Sequence, residues 1–207
     1  MVAQVQAQNF MLAGYSPPIG QYVSNALCSA YGTSAQNQRA NRCGLFQLPR
    51  ARAVDRIWIN CTTAGVHGGT NNFAIRIYAA DALRNPLAAV PMYVADETMV
   101  SSGTDLTTTG EKILTLPANW NLPLYFWYDF VHNYSTTGPT MTTLSTSTGM
   151  RGGAASAPAG TPGIGAALYY PSWTEATYDA GAARAYGNAP ITWAASGPIA
   201  IAFRPAS

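Results

Sequence analysis

The stretch "NFAIRIYAADALRNPLAAV", residues 72–90, decides how this chain folds. Phe73, Ile75 and Ile77 alternate with Arg76 and Tyr78, the two-residue period of a strand with one apolar face. Small residues, Asp81 and the turn Arg84-Asn85-Pro86 follow, and a second apolar run closes the segment. Arg76 has two readings. It is either a group in a site or a side chain on the wet face of a sheet.

The same period recurs outward from this stretch. Residues 54–61 put Val54, Arg56, Trp58 and Asn60 on one face, and Asp55, Ile57, Ile59 and Cys61 on the other. The glycine-rich turn "GVHGGTNN" then leads into residues 73–78, which predicts a hairpin between the two runs. Residues 91–94 read as a short strand at an edge, because a proline opens it. After the turn in "GTDLTTTG", residues 111–116 form a strand with Ile113, Glu111 and Thr115 on one face. "LPLYFWYDFVHNY" is the most apolar run and reads as a central strand. Leu124, Phe126, Tyr128 and Phe130 share one face, and Tyr125, Trp127, Asp129 and Val131 the other. The terminal "PIAIAFRP" sets Ile199, Ile201 and Phe203 against Ala200, Ala202 and Arg204.

Proline or glycine interrupts most windows long enough to hold a helix. Many short strands with long excursions predict an all-β chain, an antiparallel β-sandwich or jelly roll. Residues 1–20 are rich in Gln and Ala and carry Pro17-Pro18. They read as an extended N-terminal arm packed on a neighbour, or as a flexible tail. Residues 21–207 read as a single domain, with a long loop of Gly, Ala, Ser and Pro at 145–166 of the kind that is functional or anchored by a partner. Residues 167–190 scatter Tyr169, Tyr170, Trp173, Tyr178 and Tyr186 through an irregular stretch.

Composition narrows the function classes. Charged residues make up 10% of the 207-residue chain, against roughly 25% in ordinary domains. Lys112 is the one lysine, and the formal net charge is +2. That balance implies no nucleic-acid backbone and no acidic substrate. A surface so poor in charge favours association over life as a free monomer. Cys28, Cys43 and Cys61 make an odd count with no CxxC spacing, which argues against a disulfide framework and a zinc site. A Cys28–Cys43 bridge stays open. The first 20 residues lack the basic start and apolar core of a signal peptide. No apolar run approaches the roughly 20 residues of a membrane span.

Candidate chemistry is sparse. His67 lies in a glycine turn and His132 ends a strand, neither with ligand-spaced partners, so both read as surface or packing residues. There is no GxSxG elbow and no phosphate loop. Asp129, an acid in an apolar run, is the one carboxylate to weigh for glycoside hydrolysis. A solvated or loop-bonded aspartate is the plainer reading. Trp120, Tyr169, Tyr170 and Trp173 sit in expected loops, where they suit a core edge, a subunit interface or a glycan. No metal, cofactor or catalytic set is expected.

The motifs "VDRIWINCTTAG", "FAIRIYAADALRNPLAAV", "TDLTTTGEKILTLP" and "PLYFWYDF", closed by "IAIAFRP", together resemble a small jelly-roll domain of tailed-bacteriophage structural proteins. The likeness runs over about residues 45–130 and the last eight residues. It implies a non-enzymatic virion component. A short chain without a repetitive shaft points to a capsid-decorating or head-fibre protein, and the alternative is a short tail fibre or tail-tip receptor-binding protein that takes a host surface glycan. The expected partners are further copies, as a homotrimer, and other virion proteins gripped by the arm through Phe10, Met11, Leu12 and Tyr15. Neither nucleic acid nor membrane is expected as a partner. In such a sandwich Ile75 and Ile77 are core, while Arg76 and Tyr78 face outward or toward a neighbouring subunit.

Overall fold

The computed structural model describes residues 21–24, 31–48, 50–66, 72–80, 90–102, 105–144, 170–175, 177–181, 192–194 and 198–206. These form antiparallel sheets that pack as an all-β sandwich. The expected arm and the loop at 145–166 lie outside the described residues.

The larger sheet is organised by β5 (Arg52–Thr63). Along one edge β5 pairs with β9 (Gly110–Leu122), which in turn carries β8 (Val100–Ser102). Along the other edge it pairs first with β14 (Ala202–Pro205) and then with β11 (Thr140–Leu144). Short β1 (Val23–Ser24) extends the sheet beyond β14, and β2 (Tyr31–Ala35) extends it beyond β11. The second sheet runs β4 (Gly44–Gln47), β10 (Tyr125–His132), β6 (Phe73–Ala79), β7 (Tyr93–Asp96). As Pro91 indicated, β7 is its edge. A turn of 3-10 helix, Glu97–Met99, capped by the Asp96 side chain, carries the chain from β7 to β8.

The main core lies between these two sheets. Phe73, Ile75 and Ile77 from β6 and Phe126, Tyr128 and Phe130 from β10 meet Ile57, Ile59, Leu114, Ile201 and Phe203 of the larger sheet. Phe46, Phe126 and Phe203 form a ring cluster with centroids 5.1–5.4 Å apart. Fully burying each such side chain contributes roughly 1.5–3 kcal/mol. The face assignments read for β6, β10 and the terminal strand hold here, as does the core place of Ile75 and Ile77.

Three expectations change. The predicted hairpin between residues 54–61 and 73–78 does not form: β5 and β6 belong to different sheets. The parity of β5 breaks at Asp55. Against β14 one extra residue is inserted there, and against β9 the register shifts over the same stretch with the surplus residues on β9, so Val54 and Ile57 are both buried in the core although they stand three positions apart. The third change concerns Arg76 and Tyr78, which are fully buried.

Their burial has a structural cause. A small third sheet of β13 (Thr192–Ala194), β12 (Tyr170–Thr174) and β3 (Ala40–Arg42) accompanies the second, and residues from β3 and the end of β12 reach the Arg76 side of β6. With both faces covered, Phe73 to Tyr78 are buried without a break. A minor core of Cys43, Leu45, Tyr78, Trp127, Leu144 and Ala200 fills the same side.

Close packing between layers makes Gly44 a sensitive position. It faces Tyr128 across the β4–β10 pair, and a Cβ there would lie 2.6 Å from the Tyr128 ring and 2.8 Å from Pro198. Gly44→Ala is expected to cost about 1–3 kcal/mol of stability by overpacking. Urea unfolding checks this, and an unchanged midpoint would contradict the packing of β4 on β10.

Candidate functional site

Arg76 is the centre of a buried polar cluster. In the register of β6 and β10 it stands opposite Asp129, and its Nε donates to Asp129 Oδ1 at 2.8 Å. Its Nη2 donates to Glu175 Oε1 at 2.7 Å and to Asn41 Oδ1 at 2.5 Å. Nη1 reaches the Asp179 carbonyl at 3.4 Å. The Tyr78 hydroxyl donates to the other Asp129 oxygen at 3.1 Å, and Asn41 Nδ2 donates to Glu175 Oε1 at 3.1 Å.

The chain conformation around β3 serves this cluster. Arg39 has a left-handed backbone with φ of 58°, a conformation that costs a side-chain-bearing residue about 1–2 kcal/mol. The turn it makes aims its carbonyl at the Glu175 amide, 2.9 Å away, and at Asn41 Nδ2. The turn thereby places two Arg76 partners.

Burial alone would push the Arg76 guanidinium down. The Asp129 carboxylate facing it more than reverses this, and the group is held above its ordinary value. The Tyr78 phenol is pushed up by burial and by Asp129. Tyr178 is pushed up by burial, then by Glu97 and Asp96. Each of these shifts keeps the proton where it already is. The arrangement locks three stretches of chain against β6. Asp129, weighed as a solvated or loop-bonded carboxylate, is instead fully buried in the pair with Arg76.

The other singled-out residues fall as follows. Trp120 is in a strand, β9, and is buried against Tyr93 with parallel rings 4.8 Å apart, so it covers a core edge and is no loop aromatic. Tyr170 and Trp173 also lie in a strand, β12, opposite Ala194 and Asn41 respectively, where loops were expected. Phe10, Met11, Leu12, Tyr15, Tyr169 and His67 lie outside the described residues. His132 is buried, with Nδ1 accepting from the Tyr134 amide at 3.1 Å and Nε2 placed 3.2 Å from the Gln36 carbonyl, a packing role. Cys43 and Cys61 are buried, and Cys28, the other half of the bridge left open above, lies outside the described residues. Among the described residues no group of three or more His, Cys, Asp or Glu could hold a metal ion.

One surface that the sequence divided correctly by face went unnoticed as a site. On the outer face of the larger sheet, Arg56 stands opposite Arg204 on one side and Thr115 on the other. Extending the β1–β14 register places Tyr22 opposite Arg204. Two arginines face to face repel, and Asp55 relieves one of them by accepting from Arg204 Nε at 2.8 Å and from its Nη2. The Arg204 pairing holds the Asp55 carboxyl below its usual value. Half-buried Trp58 lies two residues further along the same face, and Asn60 follows, bonded to Thr142 Oγ1 at 2.9 Å.

Comparison with protein-family models, with curated proteins and with solved structures finds no match for this chain in any of the three.

Removing Asp129 tests the role of the buried cluster. Asp129→Ala leaves a buried cation with one carboxylate partner fewer and is expected to cost about 3–5 kcal/mol. Asp129→Asn, which retains an acceptor for Arg76 Nε, should cost less. Chemical denaturation of both variants measures this, and equal, small losses would show that the pair is not a structural lock.

Proposed function

We propose that this chain is a non-enzymatic structural component of a tailed-phage virion, a capsid-decorating or head-fibre protein that assembles as a homotrimer. What carries the reading is where the charge lies. Arg76, Asp129 and Glu175 are buried between the second sheet and the segments that cover it, and Lys112 is buried as well. By contrast β2, at the end of the larger sheet, has no charged residue and no fully buried one, and Tyr31 is 51% exposed. A sheet edge without lysine, proline or bulge lacks the usual protection against pairing with another chain. A protein that works by assembly has use for such an edge. The motif likeness to phage jelly-roll domains supports the same class, and the sandwich is compatible with it.

A short tail fibre or tail-tip receptor-binding protein is the second reading, favoured by the aromatic and polar outer face around Trp58.

The first measurement is mass in solution. Light scattering at micromolar protein is expected to give a trimer, and a monomer mass both in solution and on the particle would overturn the reading. The arm supplies a second test. Residues 1–20 contain no ionisable side chain other than tyrosine, so little desolvation opposes laying them in a partner's groove. Deleting residues 2–16 is expected to leave unfolding unchanged within about 1 kcal/mol while stripping the protein from particles in a complementation assay. Normal occupancy by the truncated form would refute the arm as anchor.

A further inference from the structure

We propose that the outer face of the larger sheet, centred on Trp58, binds an acidic oligosaccharide, with a carboxylate-bearing sugar at its arginine end and a neutral sugar beside it. The site deepens the receptor-binding reading by naming its ligand class, and its test needs no particle and no second copy.

The placement follows from register alone. Tyr22, Arg204, Arg56 and Thr115 form one row across β1, β14, β5 and β9, at the roughly 4.8 Å spacing of neighbouring strands. Thr115 ends the row hydrogen-bonded to Ser101 at 2.6 Å. The next row on the same face holds Ala202, Trp58 and Ile113, and the one after it Asn60 and Glu111. Ala202 leaves the ground on one side of the indole low. The result is a strip with a ring at its middle, cations at one end and amide and carboxylate groups at the other.

Each part selects a feature of the ligand. An indole offers a flat apolar surface with a polar edge, which suits the C–H face of a pyranose. Arg204 is held by Asp55, whereas Arg56 forms no ion pair among the described residues, and the Tyr22 phenol beside it is held neutral by burial. Two guanidinium groups against one carboxylate leave room for one more anion, and the planar fork of arginine prefers a carboxylate. At the far end Glu111 is exposed and Asn60 half-buried. Glu111 repels a second acid and accepts sugar hydroxyls. A polymer of neutral sugars would leave Arg56 unanswered, and one acidic at every ring would meet Glu111.

The experiment is calorimetric titration of the full chain with oligosaccharides of hyaluronan, in which acidic and neutral sugars alternate, with the same oligosaccharides after carboxyl reduction, and with inorganic sulfate. Saturable binding of the hyaluronan fragment is expected, weakened at least ten-fold by carboxyl reduction. Arg56→Gln should weaken it as much, and combining the two should add little. Trp58→Ala should abolish binding and Trp58→Phe retain part of it, with thermal unfolding of each variant as the control for folding. No binding of the fragment at millimolar concentration, binding unaffected by Arg56→Gln, or sulfate competing as well as the fragment would each overturn the proposal. Trimer mass and particle occupancy are read separately, so loss of one result leaves the other standing.

Discussion

The ion pair between Arg76 and Asp129 is the constraint on which the layering of this protein depends. Taking both groups out of water costs several kcal/mol per ion, and their attraction repays that only when the remaining donors are also answered. A guanidinium carries five N–H bonds, and here Asn41, Glu175 and the Asp179 carbonyl accept beyond Asp129. These acceptors come from β3 and from the chain after β12. The second sheet therefore cannot hold Arg76 buried unless these segments are in place. The dependence also runs the other way, because β3 is three residues long and has little apolar surface of its own. A short strand bound through charge-assisted hydrogen bonds has its position specified in a way that greasy contact alone would not supply.

The sequence showed the main core plainly because that core obeys a local rule. Phe73, Ile75 and Ile77, like Phe126, Tyr128 and Phe130, alternate with the pleat, and burial of one face follows. The burial of Arg76 did not follow from any local rule. Alternation with polar residues reads as a wet face, and what covers this face comes from Asn41 and Glu175, 35 and 99 residues away. Neither residue lies in a segment with strong strand character. The hairpin between β5 and β6 failed for a related reason. A glycine-rich turn between two strands is equally suited to joining neighbours in one sheet and to crossing a sandwich, and only the pairing partners, β9 and β10, decide. Trp120 was misplaced because Pro117 suggests the end of a strand, whereas β9 absorbs it in an irregularity and continues to Leu122.

The outer face shows a different kind of legibility. Arg56, Trp58 and Asn60 were assigned correctly to one side of β5, yet a face shared along one strand gives no neighbours. The row Tyr22, Arg204, Arg56, Thr115 draws on four strands whose closest members in sequence are tens of residues apart. Repulsion between Arg56 and Arg204 is invisible until the β14 register is known.

The bulge at Asp55 links these observations. In a regular strand Val54 and Arg56 would share a face, and either the core would lose Val54 or the surface would lose Arg56. One extra residue against β14, with the surplus on β9 across the same stretch, lets Val54 and Ile57 both point inward while Arg56 and Trp58 stay outside. The inserted residue is itself the carboxylate that Arg204 needs. A single local irregularity thus completes the core at one end of β5 and makes two facing arginines tolerable, with Arg56 in no ion pair among the described residues. Moving the acid to a regular position on the outer face would place it in the cross-strand rows and set it against Arg56 as readily as Arg204. The availability of Arg56 is therefore a property of the bulge, and it would be lost with a register shift that left every hydrophobic residue of β5 unchanged.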